Sequence, residues 1–187
     1  MGTLLLQGVP LFDFCRGTIM IYMGIDGSTT STGISVFDDE DLLYYDCIKP
    51  KSKDWQERLG ILADELQEVF NKYNIDIVFI EDVPLKDGKP TIKKLSAVRG
   101  VVIAICALNG TKLESESVSE WRKNSGFYGG NKEDLKRDNM KQRAIDEVKE
   151  LFNIDVNDDI AESILIAYRT RYPKPLAFGR RMKGGNG

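Results

Sequence analysis

The stretch MGIDGSTTSTGISVFDDE, residues 23–40, sets Asp26 at the end of a short apolar run and follows it with Gly27 and five hydroxyl residues at 28–32. Two chemistries suit this pattern. Gly and Ser/Thr beside a strand can turn backbone N–H groups toward an anion, whereas a carboxylate at a strand end can reach a hard cation. Further acids stand in comparable places. Glu81 and Asp82 close the apolar run IDIVFIED, residues 75–82, and Asp158, Asp159 and Glu162 lie in DDIAE at the opening of the last helical pattern. Asp159 and Glu162 are three residues apart, so a helix presents both on one face. If the strands ending at Asp26 and Glu81 are parallel neighbours, their carboxylates emerge side by side at the carboxyl edge of a sheet, where α/β folds place ligands. Asp26, Glu81, Asp159 and Glu162 converging there would repel one another, and two divalent cations would relieve the repulsion. Each piece also has a plainer role: Asp26-Gly27 as a strand-to-turn break, Glu81-Asp82 as a strand terminus, Asp159-x-x-Glu162 as a capping box. Their conjunction is what points to a site.

Composition narrows the chemistry. A chain of 187 residues, 42% of them hydrophobic, can bury one sizeable core and is too short for two full-sized domains. It contains no histidine, which excludes imidazole bases, Ser-His-Asp triads and His-containing zinc sites, and leaves acid-base or metal work to carboxylates, lysines and water. Cys15, Cys47 and Cys106 are far apart and form no C-x-x-C pair, so they read as buried thiols in a reducing cytoplasm. The net charge of −3 argues against a nucleic-acid partner, but its distribution argues for one: after Glu162 the chain carries Arg169, Arg171, Lys174, Arg180, Arg181 and Lys183 and no acid. Residues 173–187 read as a flexible basic tail. Residues 1–19 are apolar but broken by Gln7, Gly8, Pro10 and Asp13 and lack a basic start. They fit neither a signal peptide nor a transmembrane helix, and read as an arm or extra strand, or as sequence upstream of a start at Met20 or Met23.

Positioning the acids requires strands and helices in a particular order. Residues 21–26, 33–37 and 42–48 are short strand-like runs separated by turn residues, which predicts an antiparallel meander. Trp55, Leu59, Leu62, Leu66, Val69, Phe70 and Tyr73 recur at helical spacing. Residues 75–82 suit a strand buried on both faces. A helix over about 91–108, a strand near 112–117, a helix over about 132–152 and a last helix from about 158 follow. The predicted fold is α/β: a mixed five-stranded sheet, three antiparallel strands then parallel strands, flanked by helices.

With these motifs in place, the sequence resembles the RuvC-type Holliday junction resolvases of the RNase H-like fold, particularly their divergent phage-type members. The resemblance covers residues 20–172: GIDGSTTSTGISVF is similar to the family's first motif, IVFIEDV to its second, LSAVRGVVIAICA to the helix that follows, and DDIAESILIA to its closing motif. It implies that the metal-binding, catalytic carboxylates are Asp26, Glu81, Asp159 and Glu162, with Glu162 standing where the family has Asp. Arg122, Lys136, Arg137 and Lys141 become the DNA-binding candidates, with Arg180 and Arg181 in the tail. Pro84 and Leu85 replace an aromatic that the family often carries after its second motif. The implied activity is endonucleolytic cleavage of Holliday junctions and other branched DNA by two-metal phosphodiester hydrolysis with Mg²⁺, two ions per site and Mn²⁺ able to substitute. A homodimer, with the helix after Lys93 as a candidate interface, and a cytoplasmic location go with it.

The first motif also resembles the phosphate loop of sugar kinases and other actin-like ATPases. Those enzymes close two such domains over a nucleotide, for which 187 residues leave no room. A compact nucleotide-binding phosphotransfer protein, or a non-catalytic RNase H-like DNA-binding module, are the alternatives.

Overall fold

The structure, a computed structural model, describes residues 20–83, 88–127 and 134–175. Residues 1–19, the departure at Pro84 and Leu85, and Arg180 and Arg181 of the tail lie outside the described residues. Within them the chain runs β1 (Ile21–Asp26), β2 (Thr32–Asp38), β3 (Asp41–Ile48), α1 (Trp55–Lys72), β4 (Ile77–Glu81), α2 (Lys89–Asn109), β5 (Lys112–Glu116), α3 (Val118–Asn124), α4 (Arg137–Phe152) and α5 (Asp158–Arg171). The five strands form one sheet in the order β3-β2-β1-β4-β5. β1–β2 and β2–β3 pair antiparallel, and β1–β4 and β4–β5 pair parallel, as the sequence predicts.

One expectation needs correction. The helix expected over 132–152 begins at Arg137, and a separate short helix, α3, precedes it. Its start is written in the sequence as S-V-S-E: Ser117 caps the helix by accepting from the Glu120 N–H at 3.2 Å, and its hydroxyl contacts the Glu120 carboxylate at 3.1 Å. Seven residues carry too little periodicity to be noticed without that signal.

Two cores lie on opposite faces of the sheet. Met23, Ile25, Ile34, Val36, Val78 and Ile80 point toward α1 and α2, where they meet Leu62, Leu66, Val98 and Val102. Tyr22, Ile77 and Phe79 point the other way, into a cluster with Trp121, Met140, Ala144, Val148 and the apolar side of α5. Because side chains alternate along a strand, parity places Asp26 and Glu81 on the second face, beneath α5.

Two glycines let α5 come close. A Cβ on Gly24 would lie 2.1 Å from the Ser163 carbonyl oxygen, and one on Gly33 would lie 1.9 Å from that of Asp159. Gly33 is the cross-strand partner of Asp26. The first turns of α5 therefore rest on bare sheet backbone, directly beside the acid that ends β1.

Candidate active site

α5 starts at a fixed point because Asn157 caps it, accepting from the Ile160 N–H at 2.9 Å. This overturns the capping-box reading of Asp159 and Glu162: the cap lies two residues before Asp159, and Glu162 sits beyond the first turn, facing the sheet. The conditional expectation about the strands holds. β1 and β4 are parallel with Ile25 opposite Ile80, so Asp26 and Glu81, each one residue further on, end adjacent strands.

The four acids share one field. Burial pushes the Asp26 carboxyl well above the usual carboxylate range, and the charges of Glu162, Glu81 and Asp159 raise it further. Burial also raises Glu81, opposed by a hydrogen bond from Trp121 and by Arg122 and Arg137. For Glu162, burial and then the charge of Glu81 push the carboxyl up to about 6, with Arg122 and Lys141 opposing. Asp158 behaves differently. Its carboxylate is bonded to Lys141, which holds it below the usual range, so Asp158 lies at the rim as a partner of a cation.

The hydroxyl turn answers the question raised by the first motif. Ser28 Oγ accepts from the N–H groups of Thr30 and Ser31 at 3.2 and 3.0 Å and donates to the Ser31 carbonyl at 2.8 Å; Thr32 Oγ1 accepts from the Ser28 N–H at 3.2 Å and donates to its carbonyl at 2.6 Å. The turn engages the N–H groups of Ser28, Thr30 and Ser31 internally, which leaves those three donors turned away from any phosphate. Gly27 serves packing: a Cβ there would lie 3.0 Å from Val98 of α2.

Three residues make contacts at the site that the sequence does not assign to them. Ser31 donates to Asp159 Oδ2. Cys47 Sγ lies 3.1 Å from Ser31 Oγ and 3.6 Å from Asp159 Oδ2, so this thiol belongs to the site's edge, in contrast to Cys106, which is buried in the core as expected. Cys15 lies outside the described residues. Trp121 donates from Nε1 to Glu81 Oε1 at 3.0 Å. Only the capping box before Trp121 hinted at any of these.

Of the expected basic residues, Arg122 is 3.7 Å from Glu162 Oε1, Lys141 is paired with Asp158, and Arg137 is near enough to lower Glu81. Lys136 is exposed at the start of α4. Cations thus ring the carboxylates. Among the described residues no three acids are gathered round a single point as a finished ion site; Asp159 turns toward Ser31 and Cys47. The donor set is all carboxylate oxygen, which suits hard cations such as Mg²⁺ or Mn²⁺, and burial together with the neighbouring carboxylates raises Asp26 and Glu162. The residues fit divalent metal.

The fold is that of RNase H-like resolvases. It superimposes on Thermus thermophilus RuvC in complex with Holliday junction substrate with a TM-score of 0.67, 16% identity, and coverage of 82% of this chain and 93% of that one. The fowlpox virus resolvase in its Holliday junction complex gives a TM-score of 0.52 at 17% identity, covering 81% of this chain and 98% of the other. The sequence matches the family described as crossover junction endodeoxyribonuclease RuvC over residues 22–167, and the chain belongs to that family. It is 36% identical over 92 residues to the RuvC of Nitratidesulfovibrio vulgaris strain Hildenborough, an alignment covering 47% of this chain and 55% of the relative. The chain thus spans little more than half the length of that relative. With the RuvC of Pelodictyon phaeoclathratiforme it is 29% identical over 174 residues, 89% of this chain and 90% of the other.

Proposed function

We propose that this chain is a metal-dependent endonuclease that cleaves Holliday junctions and other branched DNA. The observation that carries the reading is the convergence of Asp26, Glu81 and Glu162, with Asp159 beside them, from two parallel strand ends and one helix face, each of the first three raised by burial and Asp26 also by all the others. Family membership and the fold it shares with resolvases in junction complexes support it.

In this reading Asp26, Glu81, Asp159 and Glu162 hold the metal, Mg²⁺ with Mn²⁺ able to substitute, at two ions per site. Bound there, the cations would supply Lewis acidity and charge neutralisation toward a phosphodiester. Arg122, Arg137, Lys136 and Lys141 bind DNA phosphates around the carboxylates and so orient the scissile strand; the Arg122 Nε has no hydrogen-bond partner among the described residues. Backbone contacts of this kind recognise the shape of a branch more than base sequence. Arg180 and Arg181 extend the phosphate contacts, with residues 173–187 as a tail appended to a nuclease domain at 20–172.

Cutting two strands symmetrically calls for two sites related by a twofold axis, hence a homodimer. α2 supports this, because it leaves Ile103 and Leu108 47% and 83% exposed in its second half, where residues 100–108 carry no polar side chain. Among the described residues no helix is long and apolar enough to cross a membrane. The deciding experiment incubates the protein with labelled four-way junction, duplex, flap and RNA–DNA hybrid in Mg²⁺ and maps cuts on every strand. Symmetric incisions near the branch point are expected; equal cutting of plain duplex, or ATP-dependent phosphotransfer without cutting, would overturn the reading.

A further inference from the structure

Glu81 carries a longer side chain than the aspartate that shares its sheet edge, and a free glutamate loses rotamer freedom on being fixed. In this fold it is already held. Trp121 is 1% exposed, and Phe127 meets its ring edge-on, with centroids 6.2 Å apart and planes at 74°. The guanidinium of Arg122 lies 5.1 Å over the same ring. In this packed setting the indole N–H donates to Glu81 Oε1 at 3.0 Å. An indole N–H can only donate, so it favours an acceptor carboxylate oxygen. A tryptophan kept for packing alone would be satisfied by any carbonyl.

Resting on the assignment of Glu81 as a metal ligand, we infer that Trp121 is a positioning residue of the metal site: its Nε1–H fixes Oε1 of Glu81 and so sets the orientation in which the carboxylate would meet an ion. The next residue of α3, Arg122, faces Glu162. One short helix thus addresses both the strand-borne and the helix-borne carboxylate through consecutive side chains, which ties the geometry of the site to the capped start of α3.

The test measures Mn²⁺ affinity by calorimetry, alongside melting temperature, for the parent, Trp121→Phe, Glu81→Gln and the double variant. Phenylalanine keeps an aromatic ring in the core and removes the donor together with the pyrrole part of the indole, a loss of packing that the melting temperature registers separately. Outer-shell partners of metal ligands contribute roughly 10–100-fold to affinity, so Trp121→Phe should bind Mn²⁺ at least about tenfold more weakly while remaining folded. Glu81→Gln should bind more weakly still, and adding Trp121→Phe to it should cost little more, because the two changes break one link. Unchanged affinity in Trp121→Phe beside weakened Glu81→Gln would overturn the inference and leave the ligand assignment standing; unchanged affinity in Glu81→Gln would overturn both. If Trp121→Phe does not fold, the parent still decides. Its Trp121 indole N–H resonance, told apart from that of Trp55 with Trp55→Phe, should move as Mg²⁺ saturates the site and should not respond in Glu81→Gln. An indole signal indifferent to Mg²⁺ in the parent would overturn the inference.

Discussion

At the end of β1, Ile25 turns toward α1 and α2 while its neighbour Asp26 turns toward α5, and their surroundings differ accordingly. Ile25 sits in an almost wholly aliphatic cluster of Met, Ile, Leu and Val. Around Asp26 the face is rich in aromatics and small residues and includes buried Ser35, Ser163, Glu147 and Arg169. There Glu147 takes ion pairs from both Arg169 and Lys174, and the acids ending β1 and β4 are raised by burial. One face removes apolar surface from water and little else; the other gives up part of that gain to hold charge. A strand with a two-residue repeat can serve both ends at once, and the comparison predicts that lesions one residue apart should fail in different ways.

Asp26→Asn should cause the largest loss of activity, a fall in junction cleavage of roughly a thousandfold or more, since in the proposed site Asp26 is at the centre of the charge cluster that a bound metal would neutralise. Junction binding should be retained or tightened, and a gel-shift titration beside the cleavage assay separates the two. Ile25→Ala should do the reverse. Deleting a fully buried side chain costs about 2–5 kcal/mol, visible as a lowered urea midpoint, while the protein that remains folded cuts near the parental rate. Near-parental cleavage in Asp26→Asn would break the contrast at its root.

Gly33→Ala sharpens the comparison by placing the lesion in the backbone seam between sheet and α5. A methyl 1.9 Å from the Asp159 carbonyl oxygen must push the helix away, with an overpacking cost of about 1–3 kcal/mol and loss of cleavage out of proportion to the loss of stability. Gly60→Ala, with open space around the added Cβ in the exposed interior of α1, is the matched control: it should leave cleavage unchanged and, by replacing a helical glycine, raise stability by about 0.5–1 kcal/mol.

Acidity provides a gentler probe of the charged face. A carboxyl raised on folding binds its proton more tightly in the native state, so metal-free stability is greatest below the ordinary glutamate range near 4.3 and declines as pH rises toward the folded value. For Glu162 the folded value is about 6, so this group lowers metal-free stability across roughly pH 4.5–6 by up to about 2 kcal/mol. Urea midpoints at pH 5 and 7.5 should show that decline in the parent, less of it in Glu162→Gln, and recovery at pH 7.5 on adding Mg²⁺. An identical pH dependence in parent and variant would show that Glu162 is not held against the other acids.

The smallest effect belongs to Asp158→Asn, which releases Lys141 from a partly exposed pair. Such pairs contribute about 0–1 kcal/mol, so melting should hardly change and cleavage should survive, with DNA binding equal or slightly stronger. Loss of cleavage comparable to that of Asp26→Asn would instead make Asp158 a ligand.

The sequence by itself determined the element order, apart from α3, because apolar spacing at two or at three to four residues is a local property. It also brought the four candidate acids into view, since acids that end apolar runs and open a helix stand out without any knowledge of the fold. The alternation along IYMGID and IVFIE even carries the parity that sends Asp26 and Glu81 to the same face once β1 and β4 are known to be parallel neighbours. Only the tertiary structure decided that adjacency, and with it the convergence. Ser31 and Cys47 meet Asp159 across 128 and 112 residues of chain, and Trp121 meets Glu81 across 40. The reach of Gly33 to the Asp159 backbone is of the same kind. Contacts between distant segments depend on how helices dock on a sheet, and that docking is set by steric fit summed over the whole interface, for which no local window of residue types contains a signal.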